Sequence, residues 1–130
     1  MQETPASATP FELIGGQPTV DRIVDTFYDR MSELPEAAPI RAMHARNLAP
    51  MRVILKKYLA QWLGGPPTYS EERGHPRLRA RHLPFAIGID ERDQWMLCMR
   101  GALEEEVADE ALRAFIVERL AALADHMRNR

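Results

Sequence analysis

In the stretch RHLPFAIG, Arg81 to Gly88, a histidine occupies the last turn of a short helical run, and Pro84 two residues on stops the helix from continuing. Leu78, His82 and Phe85 fall near one face of that run, which turns the imidazole inward. Arg77, Arg79 and Arg81 lie on the other faces and make a basic rim. Imidazole is the commonest protein ligand for metals, but a zinc site built from protein alone needs about four ligands. The chain has one cysteine, Cys98, and neither a second histidine nor a carboxylate lies three or four residues from His82. That suits a metal whose other ligands come from a cofactor. Haem is such a cofactor: an apolar disc with one axial imidazole and two carboxylates that pair with arginine or tyrosine.

The other three histidines have plainer readings. His126, in the charged run HMRNR, reads as solvated, and His75, just before Pro76, suits a capping position at the start of the short helix. His44 sits in a methionine-containing connection and suits either a packed or a ligand-facing position. For His82 itself, a hydrogen-bonded core histidine is the alternative on residue types alone.

The elements that must position His82 are helical. After GGQP, apolar residues at Val20, Ile23, Val24, Phe27, Tyr28, Met31 and Leu34 keep the 3.6-residue period, and Pro18 suits a first helical turn. A second stripe runs through Leu48, Met51, Ile54, Leu55, Tyr58, Leu59, Trp62 and Leu63, and GGPP ends it. A third helix is expected from Asp90, capped by its side chain and favoured by Asp93, carrying Trp95, Met96, Met99 and Leu103. A fourth is expected from near Asp109, with Leu112, Phe115, Ile116, Leu120, Leu123 and Met127. Between Gly64 and Ala80 the apolar period disappears, which reads as a long loop of the functional kind. No stretch alternates with period two, so the fold class is all-α, with four substantial helices and a short one bearing His82.

The chain's 130 residues, 45% of them hydrophobic, suffice for one domain, expected over residues 10–130 behind a flexible lead-in at 1–9. A net charge of -2 offers no footprint for nucleic acid, and no apolar run approaches the roughly 20 residues that span a bilayer. The lead-in lacks the regions of a signal peptide and a single cysteine excludes a disulfide framework, so a cytoplasmic location is expected. Cys98 reads as a packed residue on the Trp95 helix.

The run WLGGPPTYSEERGHPRLRARHLPF, followed by ERDQWMLCM and preceded by FELIGG and FYDRM, resembles the truncated haemoglobins of the second group, from Phe11 to the last helix. The resemblance implies a globin-like two-over-two helical sandwich around haem b, with His82 as proximal iron ligand. It also implies that Tyr28 and Trp95 face the distal side with their O–H and N–H, and that Phe27 is packing. Met51 and Leu55 take the apolar distal positions of the second long helix, and His44 becomes a third polar group near the iron. Arg81 and Tyr69, with Arg79 behind them, become the partners of the propionates. Gly64 and Gly65 match the family's second double glycine.

Dioxygen held at ferrous iron gathers negative charge, and each good hydrogen-bond donor stabilises it by roughly 0.5–1.5 kcal/mol. Two donors slow oxygen release, which favours retention, sensing or redox chemistry over bulk transport. The leading expectation is a haem protein that binds oxygen or another small diatomic gas. The alternative is a redox enzyme, a peroxidase or nitric oxide dioxygenase, the latter needing an external reductase because the chain has no flavin or nicotinamide domain. A haem-free helical interaction module leaves His82, Trp95 and the arginine rim without a role. A homodimer is compatible with all three.

Overall fold

The computed structural model describes residues 8–130. Helix α1, Pro10–Ile14, starts from a reciprocal cap: Thr9 Oγ1 accepts from Glu12 N–H at 3.2 Å, and Glu12 Oε1 accepts from Thr9 N–H at 2.9 Å. The segment read as a lead-in spans residues 1–9, of which 1–7 lie outside the described ones.

After Gly15 and Gly16 the chain enters α2, Gln17–Glu33, with Pro18 in its first turn as expected. The apolar stripe of α2 is the centre of the core: Val20, Ile23, Val24, Phe27, Tyr28 and Met31 are all at or below 2% exposed. α2 packs most extensively across α7, Ile89–Glu106, and also lies against α4, Ala49–Trp62, while α7 packs on α8, Glu110–His126. Two helices thus lie over two. Met96, Cys98, Met99, Ala102 and Leu103 form the buried face of α7, with Cys98 fully enclosed as its position predicts. Arg52 on α4 reaches Asp25 at 3.1 Å and Asp29 at 2.8 Å on α2, and Lys56 reaches Asp25 at 3.1 Å. These half-exposed pairs set the register of the two helices more than they stabilise it.

The structure departs from the expectations in three places. α7 begins at Ile89 and is capped by Gly88, whose N–H donates to Glu91 Oε1 at 2.7 Å, so Asp90 lies inside the first turn and is not the cap. Its charge favours the helix's positive end all the same. The segment Gly64–Ala80 is not a plain loop. It contains α5, Thr68–Arg73, docked on α4 where Gln61 Nε2 donates to Ser70 Oγ at 2.7 Å and Gln61 Oε1 accepts from Ser70 N–H at 2.9 Å. A helix of 6 residues that buries only Tyr69 has no apolar period to display. Finally, the short helix α6, Leu78–His82, ends at the histidine, so Phe85 lies beyond it and is 41% exposed rather than on its inner face.

Between α2 and α4 the chain makes a 3₁₀ turn at Pro35–Ala37 and the short helix α3, Ala38–Ala42. α8 starts as expected, with Asp109 Oδ1 accepting from Leu112 N–H at 3.0 Å. No helix among the described residues is long and apolar enough to cross a membrane.

Candidate functional site

α6 is only 5 residues long, and its entry residue Arg77 adopts the left-handed conformation, φ 47° and ψ 48°. A non-glycine residue pays for that geometry in strain, and His75 helps to hold it, since its Nδ1 accepts from Arg77 N–H at 3.0 Å. This is the local capping expected of His75. At the other end of α6, His82 is half-buried and its Nδ1 lies 2.6 Å from the Leu78 carbonyl. A carbonyl only accepts, so Nδ1 carries the proton and donates it. The lone pair is then on Nε2, at the far side of the ring from the helix backbone. The tautomer that binds a metal through Nε2 is thereby selected by the helix's own backbone.

No other helix packs extensively on α6. Just past it, Leu83, Phe85 and Ile89 are 55%, 41% and 50% exposed. An isolated inward-turning helix followed by uncovered apolar side chains is what a flat apolar group would complete, and among the described residues no cluster of three metal-binding side chains competes for His82.

Tyr28 and Trp95, the donors expected on the distal side, stand on α2 and α7. Tyr28 is 2% exposed, its ring edge-on to Phe27 with centroids 4.9 Å apart, and Phe27 in turn lies 5.1 Å from Trp95. Phe27 is the wholly buried spacer between the two, the packing residue it was expected to be. Burial pushes the Tyr28 hydroxyl from its ordinary value of 10.0 up to about 12, against the opposing pull of the Arg52 guanidinium, which lies 5.7 Å from the ring centroid. The hydroxyl stays protonated, and so stays a donor, at any physiological pH. His44 stands edge-on to Tyr28 at 6.0 Å, and its Nδ1 donates to the Ile40 carbonyl at 2.7 Å. Its Nε2 is then an acceptor in the neutral ring. Met51 and Leu55, one turn apart on α4, are half-buried and pack against the same core without adding a polar group.

The three residues expected at the carboxylates of the cofactor separate. Arg81 is exposed and its Nε donates to the Pro76 carbonyl at 2.8 Å, which orients the guanidinium. Tyr69 is 3% exposed on α5, edge-on to Tyr58 at 5.6 Å. Arg79 Nη1 donates to the carbonyls of His126 and Arg128 at 3.0 and 2.8 Å. Two surface clefts of about 300 and 350 Å³ contain none of the expected site residues.

Sequence reasoning missed Asn129. Its side chain meets the backbone of the segment after His82, bonding to residues 42, 44 and 47 positions away. Nothing in the terminal run MRNR marks it, because no local pattern reports a partner so distant in sequence.

This geometry has close counterparts. The profile of the bacterial-like globin family matches residues 9–129. The group 2 truncated hemoglobin YjbI of Bacillus subtilis is 42% identical over 120 residues, covering 92% of this chain and 88% of that protein. Among solved structures, the group II 2-on-2 hemoglobin of Agrobacterium tumefaciens is 42% identical with a TM-score of 0.93, over 98% of each chain. The cold-adapted truncated hemoglobin of Pseudoalteromonas haloplanktis is 41% identical with a TM-score of 0.92, over 94% of this chain and 98% of that one. The chain is a globin of the group II truncated haemoglobin family, with haem b as its cofactor and diatomic gases as its ligands.

Proposed function

We propose that His82 is the protein ligand of the haem iron and that Tyr28 and Trp95 hold a diatomic gas on the opposite side, so that the protein retains oxygen or a similar ligand rather than turning over peroxide. When bound, haem would supply an iron able to take up such a gas. The observation that carries the reading is the hydrogen bond from His82 Nδ1 to the Leu78 carbonyl at 2.6 Å. It leaves Nε2 free to ligate. It also gives the imidazole a neutral acceptor in place of the carboxylate that would push it towards imidazolate and favour peroxide cleavage.

On the other side, Tyr28 offers an O–H that burial keeps protonated, and Trp95 offers an N–H that can only donate. Met51 and Leu55 exclude water from between them. His44 and Arg52 flank the Tyr28 ring and limit its rotation. Arg81, already oriented through Nε, has its terminal nitrogens for one propionate, and Tyr69 on α5 is the partner for the other. Arg79, committed to the C-terminal carbonyls, contributes positive charge rather than a direct contact. Nitric oxide oxidation is compatible with the same distal pair, but its electrons would come from a separate reductase.

The test is His82→Gly. The variant is expected to lose haem during purification and to recover a wild-type-like ferrous spectrum when imidazole is supplied. Retention of the wild-type iron–histidine vibration without imidazole would falsify the ligand assignment. Rapid peroxide turnover by the wild-type protein would overturn the preference for retention.

A further inference from the structure

The C-terminal residues close on the segment that carries the histidine. Asn129 Nδ2 donates to the carbonyls of His82 at 3.3 Å and Phe85 at 2.8 Å, while its Oδ1 accepts from Ile87 N–H at 3.0 Å. The backbone N–H groups of Asn129 and Arg130 both donate to the Ile87 carbonyl, at 2.9 and 3.1 Å. Arg79, on α6 itself, donates to the carbonyls of His126 and Arg128. Both donors and one acceptor site of one amide side chain are thus directed at residues 82–87.

A helix of 5 residues cannot hold its own geometry in water, and α6 has no extensive packing to hold it in place. The direction of the His82 ring therefore depends on what fixes the backbone at and after residue 82. We infer that Asn129 is a positioning residue for the proximal histidine, acting through the His82 and Phe85 carbonyls to aim Nε2. This inference rests on the reading of His82 as the iron ligand. It requires an amide at position 129: aspartate keeps the acceptor for Ile87 N–H but turns both donors into a charge facing two carbonyls, and alanine removes everything.

The experiment compares wild type with Asn129→Ala, Asn129→Asp, His82→Gly and Thr26→Val, all reconstituted with haem. Thr26 Oγ1 donates to Glu106 at 3.0 Å between α2 and the end of α7, so its replacement loosens the fold away from α6. Two readouts are taken: the rate of haem transfer from the ferric protein to excess apomyoglobin, and the iron–histidine stretching band of the ferrous protein. Both Asn129 variants are expected to lose haem about threefold to tenfold faster and to show a shifted or broadened band, since aspartate loses two of the three side-chain hydrogen bonds and alanine loses all three. Thr26→Val is expected to keep the wild-type band and rate, whatever its thermal midpoint. Residue 129 lies beyond the end of α8, so the helical sandwich does not need it to form. An unchanged band in both Asn129 variants overturns the inference, even with faster haem loss, because a residue that aims Nε2 cannot be lost without altering the iron–histidine bond. A band that survives His82→Gly overturns the ligand assignment instead, so the two failures are told apart.

Discussion

The Tyr28 hydroxyl is the residue whose chemistry is most altered by the fold. Burial raises it to about 12 from an ordinary 10.0, so the folded protein holds this proton more tightly than the unfolded chain. Above pH 10 the unfolded state releases it first and binds fewer protons, which makes stability fall as pH rises through about 12. The whole effect is roughly 3 kcal/mol at its limit, two units at about 1.36 kcal/mol each. Alkaline denaturation of the reconstituted protein should therefore show a loss of stability between pH 10 and 12 that is smaller in Tyr28→Phe. An equal loss in both would mean that another group is responsible. The same substitution removes one of the two donors proposed for the gas, and Trp95→Phe removes the other while keeping an apolar ring. Each is expected to speed oxygen release about threefold to tenfold, for a lost bond of roughly 0.5–1.5 kcal/mol, with a smaller effect on carbon monoxide. Off-rates within twofold of wild type in both variants would leave the two residues as packing. The double variant should not be the product of the singles, because the rings are joined through Phe27 and share one ligand.

At the scale of elements, the joint between α1 and α4 is set by two glycines for two different reasons. Gly64 has φ 96° and turns the chain out of α4, whereas Gly65 needs space. A Cβ on Gly65 would lie 2.7 Å from the Phe11 ring and 2.8 Å from the Ala60 carbonyl oxygen. The carbonyl belongs to helix backbone and cannot step aside. Gly65→Ala is expected to destabilise by about 1–3 kcal/mol, measured by denaturant titration of the haem-loaded protein. No change in midpoint would show that α1 can shift without cost. The joint was half legible in the sequence, since a double glycine after an apolar stripe announces the end of a helix. The close approach of Phe11, whose N–H donates to the Leu63 carbonyl at 2.9 Å, was not.

For the molecule as a whole, the two groups of proposed site residues differ in how they are held. Tyr28, Phe27 and Trp95 belong to the α2–α7 contact at the centre of the core. α6 is held by hydrogen bonds to the C-terminus and by little packing. Removal of haem should therefore loosen the molecule unevenly. In hydrogen exchange of the apo protein, amides of residues 78–89 and 127–130 are expected to lose protection first and together, while those of α2 and α7 keep theirs. Uniform loss across all helices would contradict this division.

The sequence by itself determined the long helices and most of the side each buries, although Phe115, on the expected stripe of α8, is 45% exposed. Val20, Ile23, Val24, Phe27, Tyr28 and Met31 repeat at the helical period, and a period is a local property that any sufficiently long amphipathic helix must display. It also singled out His82, which shares a face of a short run with Leu78, is rimmed by Arg77, Arg79 and Arg81, and has no second metal ligand one turn away. It could not decide what lies opposite that histidine or what steadies it. α5 is too short for its period to register, and Arg79 looks the same in sequence whether it meets a carboxylate or the carbonyls of His126 and Arg128. The choice among those partners is made by which distant segments the core brings together, and hydrogen bonds spanning more than forty residues leave no trace in local pattern.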